Sequence, residues 1–180
     1  MIQLLFWMIY NLPRVFFLKI RYGKRANLHW HQRISPSCVL NIYGQGKMAI
    51  GRKCQFPSGC DLTVLGKGNL VIGQRVIMNK FCMVSCLGHV EIGDDCLIGP
   101  GVKIFDNNHR FTKEHGASRD LSIGSIKIGN NCWIASNAVI LKGSDIGDNC
   151  VIGAGAIVRG TIPSGSLVRP NVNNIIEEIY

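Results

Sequence analysis

Residues 146–158 read IGDNCVIGAGAIV, a segment that repeats its own pattern every six positions. That period matches neither the 3.6 residues of a helical turn nor the two-residue alternation of a half-buried hairpin strand. The pattern extends well beyond the segment. From residue 128 onward, Ile128, Ile134, Ile140, Ile146, Ile152 and Val158 recur at strict six-residue intervals, and Cys132, Ala138, Ser144, Cys150 and Ala156 each follow four positions behind. The same phase appears upstream in Ile92, Ile98 and Ile104, in Ile72, Met78 and Val84, and in Ile50, Phe56 and Leu62. Self-similarity of this kind marks a coiled repeat architecture.

Strand geometry gives the repeat a shape. If each six-residue unit is one short strand plus a corner, three units close a triangular coil, and successive coils stack with parallel strands about 4.8 Å apart. The aliphatic residue then points into the triangle and the small residue two positions earlier leaves room at the corner. Each fully buried Ile or Val contributes roughly 1.5–3 kcal/mol. A ladder of them can hold a prism with few aromatics, which suits a chain of 180 residues with 21 glycines, 47% hydrophobic residues and only 8% aromatic ones. The intervals Ile50–Ile72, Ile72–Ile92 and Ile128–Ile146 are 22, 20 and 18 residues, whereas Ile92–Ile128 is 36. Something is inserted in that coil.

The insertion falls on FDNNHRFTKEHGASRDLSIGSI, residues 105–126, a polar and charged stretch between aliphatic repeats. Long polar loops projecting from rigid scaffolds tend to carry function. His109 is the leading catalytic candidate, since histidine can take a proton from a hydroxyl near neutral pH. Glu114 and His115 lie close enough in sequence to orient its ring.

The net charge of +9 comes from the N-terminal third. Residues 1–60 hold nine Lys and Arg and no acid before Asp61, while the rest carries 11 basic and 11 acidic residues. Such a stripe suits an anionic membrane surface or a solvated face; no nucleic-acid motif accompanies it, so no nucleic-acid partner is expected. The opening MIQLLFWMIYNLPRVFFLKIRYGKR lacks the basic start and small-residue cleavage site of an export signal. Pro13, Arg14 and Lys19 interrupt it short of the ~20 apolar residues of a membrane span. Two readings stay open for it: a helix lying in a membrane interface, with Trp7, Phe16 and Phe17 beside its basic residues, or a helix that packs over the open end of the prism. Asn11 is placed to close one short helix or cap another. The eight cysteines show no CxxC pair, and Cys96, Cys132 and Cys150 share one place in the repeat. They read as small half-buried core residues in a reducing compartment.

The run DNNHRF followed by IKIGNNCWIASNAVILKGSDIGDNCVIGAGAIVRGTIPSGSLV resembles the hexapeptide-repeat O-acetyltransferases of the galactoside, maltose and nodulation branch, over about residues 40–163. The resemblance implies an all-β, left-handed parallel β-helix, a homotrimer, acetyl-CoA as co-substrate with no metal required, and a saccharide acceptor in capsule, exopolysaccharide or lipopolysaccharide biosynthesis. It implies a cytoplasmic enzyme, at the inner face of the membrane if the basic helix docks there. His109 falls on the family's general base, and Asn79, in IGQRVIMNKF, on an asparagine near the acceptor. Trp133 matches a tryptophan lining the channel to the coenzyme arm. Ser136 and Ala154 fall where backbone groups bond pantetheine, and Arg159, with Lys142 as a weaker candidate, near the nucleotide phosphates. The chain departs from the pattern at SCLG, residues 85–88, where the galactoside enzymes carry paired acids, and at LVRPNVNNII, where Arg169 and Asn171 stand in place of a G-x-P-A ending. The expected organisation is an apolar and basic helical segment over 1–30, the β-helix over 31–163 with its inserted loop 105–126, and a tail over 164–180. Other readings are a non-catalytic β-helix scaffold, a sugar N-acyltransferase, and a γ-class carbonic anhydrase-like metalloenzyme, whose histidine spacing His89, His109 and His115 do not reproduce.

Overall fold

The structure is a computed structural model that describes residues 2–170, with side chains from Ile9 onward. Its strands fall into three parallel sheets that the chain visits in strict rotation. The first sheet has seven strands (Ala26–Leu28, Lys47–Ile50, Asn69–Ile72, His89–Ile92, Ser125–Ile128, Asp145–Ile146, Thr161–Ile162). The second has seven more (Arg33–Ile34, Gln55–Phe56, Ile77–Met78, Leu97–Ile98, Trp133–Ile134, Val151–Ile152, Leu167–Val168) and the third has six (Val39–Ile42, Asp61–Val64, Met83–Cys86, Lys103–Phe105, Val139–Leu141, Ile157–Val158). This is the parallel β-helix that the six-residue period predicts. It starts before residue 31 and runs past 163, because Ala26–Leu28 already pairs with Met48–Ile50, and Leu167–Val168 still pairs with Val151–Ile152.

The predicted inward residues fill the prism. Ile50, Ile72, Ile92, Ile128 and Ile146 are all buried in the first sheet, where Ile50 pairs with Ile72, Ile72 with Ile92, Ile92 with Ile128 and Ile128 with Ile146. Strand pairing thus treats the 36-residue interval as a single coil with an insertion. Corners turn through the left-handed region: Lys53, Arg75, Asp95, Asn131 and Asn149 occupy equivalent places between the first and second sheets with φ from +53° to +59°, a conformation Asn and Asp tolerate best among non-glycine residues.

The cysteines are more deeply placed than half-buried; all eight are free and fully buried. Cys54, Cys96, Cys132 and Cys150 line the corner between first and second sheets, and each thiol donates to a carbonyl of the next coil, Gly73, Gly129, Gly147 and Pro163 respectively, at 3.1 Å. Cys38, Cys60 and Cys82 form a second column one corner on. A small residue that can also cap a stray carbonyl explains why the repeat uses cysteine there.

The N-terminal segment is one helix, Ile2–Tyr22, with Pro13 inside it. Asn11 caps no helix end: it is buried, and its Oδ1 accepts the Ile34 N–H at 2.9 Å. Arg14 donates to the Ser35 and Cys38 carbonyls, the Tyr22 hydroxyl to the Leu40 carbonyl at 3.4 Å, and Val15 is fully buried. The helix therefore closes the open end of the first coil, supplying partners to backbone groups that would otherwise lack them. The C-terminal NNIIEEIY lies outside the described residues.

Candidate functional site

The stretch 105–126 is largely regular. It leaves the third sheet after Phe105 and forms an antiparallel arm, Asn107–Thr112 against Gly116–Ile123, before the chain returns to the first sheet at Ser125. The arm's register slips between His109 and Phe111, a bulge of the kind that re-aims a side chain.

The arm is rooted by Asp106. In the coils below, the equivalent inward place is filled by Ile42, Val64 and Cys86, whereas here it holds a fully buried carboxylate. That carboxylate accepts the N–H groups of Leu87 at 2.9 Å and Gly88 at 2.7 Å, and the Asn107 side-chain amide at 3.0 Å. Asn107 in turn donates to the Ser85 carbonyl and hydroxyl at 3.3 Å. Burial, and after it the charge of Asp106, pushes the neighbouring Cys86 thiol up to about 12. On the other side Lys142 donates to the Ser122 carbonyl at 3.4 Å and to its hydroxyl. Lys142 braces the base of the arm.

His109 lies exposed on the arm's first strand, and its Nδ1 sits 2.8 Å from the Ser118 carbonyl oxygen. A carbonyl only accepts, so Nδ1 carries the proton and, in the neutral ring, Nε2 keeps its lone pair. The ring is oriented by this carbonyl across the arm, and not by Glu114 or His115, which lie at the turn beyond Thr112.

The remaining candidates sort onto two edges of the prism. Asn79, Ser136 and Ala154 all occupy the corner between second and third sheets. There Asn79 Oδ1 accepts the Lys80 N–H at 2.8 Å, and the Ser136 carbonyl accepts the Gly155 N–H at 2.9 Å. Trp133 is on the adjoining outer face of the second sheet, 52% exposed, in register with Leu97, which in turn pairs with Ile77. A cavity of about 250 Å³ opens on that face between Arg33, Gln55, Ile77 and Asn79. His109, Lys142 and Arg159 belong instead to the corner between third and first sheets. Within one chain the third sheet separates the two groups. Among the described residues no three His, Cys, Asp or Glu side chains gather to hold a metal ion.

Residues 125–160 match the family described as bacterial transferase hexapeptide (six repeats). Those residues carry the hexapeptide repeat. Among its relatives, the galactoside O-acetyltransferase of Escherichia coli strain K12 is 41% identical over 90 residues, which are 50% of this chain and 44% of that one. A second protein of the same strain, named for O-acetyl transfer in lipopolysaccharide biosynthesis, is 30% identical over 110 residues, 56% of each chain. The chain spans about half the length of these curated relatives. A solved hexapeptide-repeat acetyltransferase from Vibrio cholerae O1 biovar eltor, in complex with acetyl coenzyme A, superposes with a TM-score of 0.54 at 17% identity, covering 89% of this chain and 80% of that one. At that identity the likeness concerns the fold, the left-handed parallel β-helix expected from the resemblance.

Two parts of the candidate site escape a reading of the sequence. Asp106 had a signal, an acid in phase with inward apolar residues, whereas the Ser118 carbonyl is a backbone group with no signature at all.

Proposed function

We propose that the protein is an acetyl-CoA-dependent O-acetyltransferase that modifies a saccharide hydroxyl in capsule, exopolysaccharide or lipopolysaccharide biosynthesis. The observation that carries this reading is His109, whose Nδ1–H is held by the Ser118 carbonyl on a braced arm, so that Nε2 is the nitrogen available as a base. The relatives named for O-acetyl transfer support the same choice. In this mechanism the acceptor hydroxyl gives its proton to Nε2 as its oxygen attacks the thioester carbonyl carbon. The carbon–sulfur bond breaks, and the proton passes to the departing coenzyme sulfur. No covalent acyl-enzyme intervenes, and none of the buried cysteines is needed.

The rest of the site takes a second copy. Asn79, Ser136, Ala154 and Trp133 lie along one edge of the third sheet and its neighbouring face, with His109 and Arg159 along the other edge, so a cleft lined by both groups forms where the edges of adjacent copies meet. The outward stripe of Ile77, Leu97 and Trp133, 38–52% exposed, suits such packing. We take the assembly to be a homotrimer, with coenzyme A in each cleft, its pantetheine along the Ser136 and Ala154 backbone and its phosphates near Arg159. Asn79 orients the acceptor. Sedimentation should give a species of three 19.8 kDa chains.

The test is release of free thiol from acetyl-CoA with a panel of saccharides and nucleotide sugars. His109→Ala should lower kcat by about 10²–10⁴, the contribution of a general base, while keeping the assembly. Full rate in that variant would remove His109 from the role. Coenzyme A that fails to bind at all would favour a scaffold over an enzyme.

A further inference from the structure

The capping helix has a second face that the prism does not use. Helical spacing sets Asn11, Val15, Leu18 and Tyr22 on the side that closes the first coil, and Ile9, Leu12, Phe16 and Ile20 on the opposite side. The first set is buried or half-buried, whereas the second is 42–63% exposed, with Phe17 at 66% on its flank. A helix that is apolar on both sides has two apolar neighbours, and the described residues supply only one. We infer that this outer face docks the protein onto an anionic lipid surface, the exposed aromatic and aliphatic side chains entering the interface while Lys19, Arg21 and Lys24 meet the headgroups.

Charge selects lipid over a second copy of the chain. Arg14 and Arg25 are committed to backbone carbonyls, Ser35 and Cys38 for the first and Gly44 for the second, so they hold the cap. Lys19, Arg21 and Lys24 are left at the margins of the apolar face, with no acidic residue anywhere before Asp61. Two such faces pressed together would set positive against positive. An anionic bilayer neutralises them and also receives the apolar strip. Lys19 Nζ lies 4.4 Å over the ring of Trp30, itself 44% exposed, a pairing of aromatic ring and cation that suits the headgroup level. On the opposite flank an open groove of about 650 Å³ runs between the helix residues Tyr10, Arg14, Phe17 and Arg21 and Pro36 of the prism. No helix among the described residues is long and apolar enough to cross a membrane, so the helix lies on the surface.

The consequence for substrate choice rests on the acetyl-transfer reading. The arm leaves the fourth coil, three strand spacings above the capped one, which places its root about 14 Å up the prism at roughly 4.8 Å per step. With the helix's own width of about 10 Å added, the root stands about 24 Å from such a surface, so the acceptor class is a lipid-anchored saccharide long enough to span that height.

Binding is tested with the full chain, because deleting the helix would also uncap the prism. Flotation with phosphatidylcholine vesicles, with and without phosphatidylglycerol, should show capture by the anionic ones alone, released by high salt. Replacing Lys19, Arg21 and Lys24 by Gln should weaken capture roughly a hundredfold, at about a fivefold loss per basic residue. Phe16→Ser with Phe17→Ser should abolish it without shifting thermal unfolding, since both rings are exposed. His109→Ala should float like the parent, which separates failure of docking from failure of the transfer reading. Equal capture by neutral vesicles, retention by the serine variant, or self-association that the serine variant dissolves would overturn the proposal.

Discussion

Replacing Asp106 by alanine removes the one buried carboxylate on which the arm is built. Its oxygens take the N–H groups of Leu87, at 2.9 and 3.1 Å, and Gly88, at 2.7 Å. Truncation removes the partner of both half-buried donors at the root of the arm, and an unsatisfied donor costs up to about 1–3 kcal/mol when buried. Removing a desolvated charge returns part of that, so a net loss of about 2–5 kcal/mol is expected. Asp106→Asn keeps one acceptor oxygen and the same volume, and should lose less than half as much. Urea unfolding followed by circular dichroism reads both values. Thiol release from acetyl-CoA in the folded alanine variant should fall by about a hundredfold, because His109 stands three residues along the loosened strand and a displacement of about 1 Å costs that much. An alanine variant with the parent's unfolding midpoint and the parent's turnover would refute the claim that this carboxylate positions the arm.

Gly88 offers a steric route to the same root: a Cβ built there lies 2.2 Å from the Gly124 carbonyl oxygen, so Gly88→Ala should destabilise by at least about 1–3 kcal/mol, read from the same urea curves. Ile128→Ala opens a cavity in a fully buried ladder and should cost about 2–5 kcal/mol, with the prism still formed by circular dichroism. Burial holds the Cys38 and Cys86 thiols up at about 12 and Cys54 at about 11. They should resist a disulfide reagent at pH 8 until the chain unfolds. The sign of the pH dependence follows from the same shifts. Below the unfolded thiol value of about 9 both states are protonated and nothing is lost; above it the unfolded chain sheds protons first, so stability should fall between pH 9 and about 11–12, which urea midpoints at stepped pH would detect.

The arm and the N-terminal helix show where sequence reading stops. Residues 105–126 announce themselves as an insertion because they break a count of six, yet their pairing into an antiparallel arm depends on the Asn107–Ile123 and Asn108–Ser122 pairs, which no periodicity encodes. Asn11 reads locally as a helix cap, and only the packed structure turns its Oδ1 toward the Ile34 N–H. The resemblance singles out Asn79 and His109 as candidates, but their placement at opposite edges of one sheet appears only when the three sheets are assembled.

The sequence by itself determined the prism, because a six-residue repeat of inward aliphatics stacks as short parallel strands whose every rung adds apolar burial. It also determined the basic, acid-free character of the first sixty residues and the position of the insertion. The tertiary structure alone decided which groups meet: the Ser118 carbonyl that fixes the tautomer of His109, the Leu87 and Gly88 amides that hold Asp106, and the Ile34 amide that Asn11 Oδ1 accepts. Those are contacts between backbone groups and side chains 9–23 residues apart. A polar partner of that kind carries no period, and folding creates it by bringing coils into register.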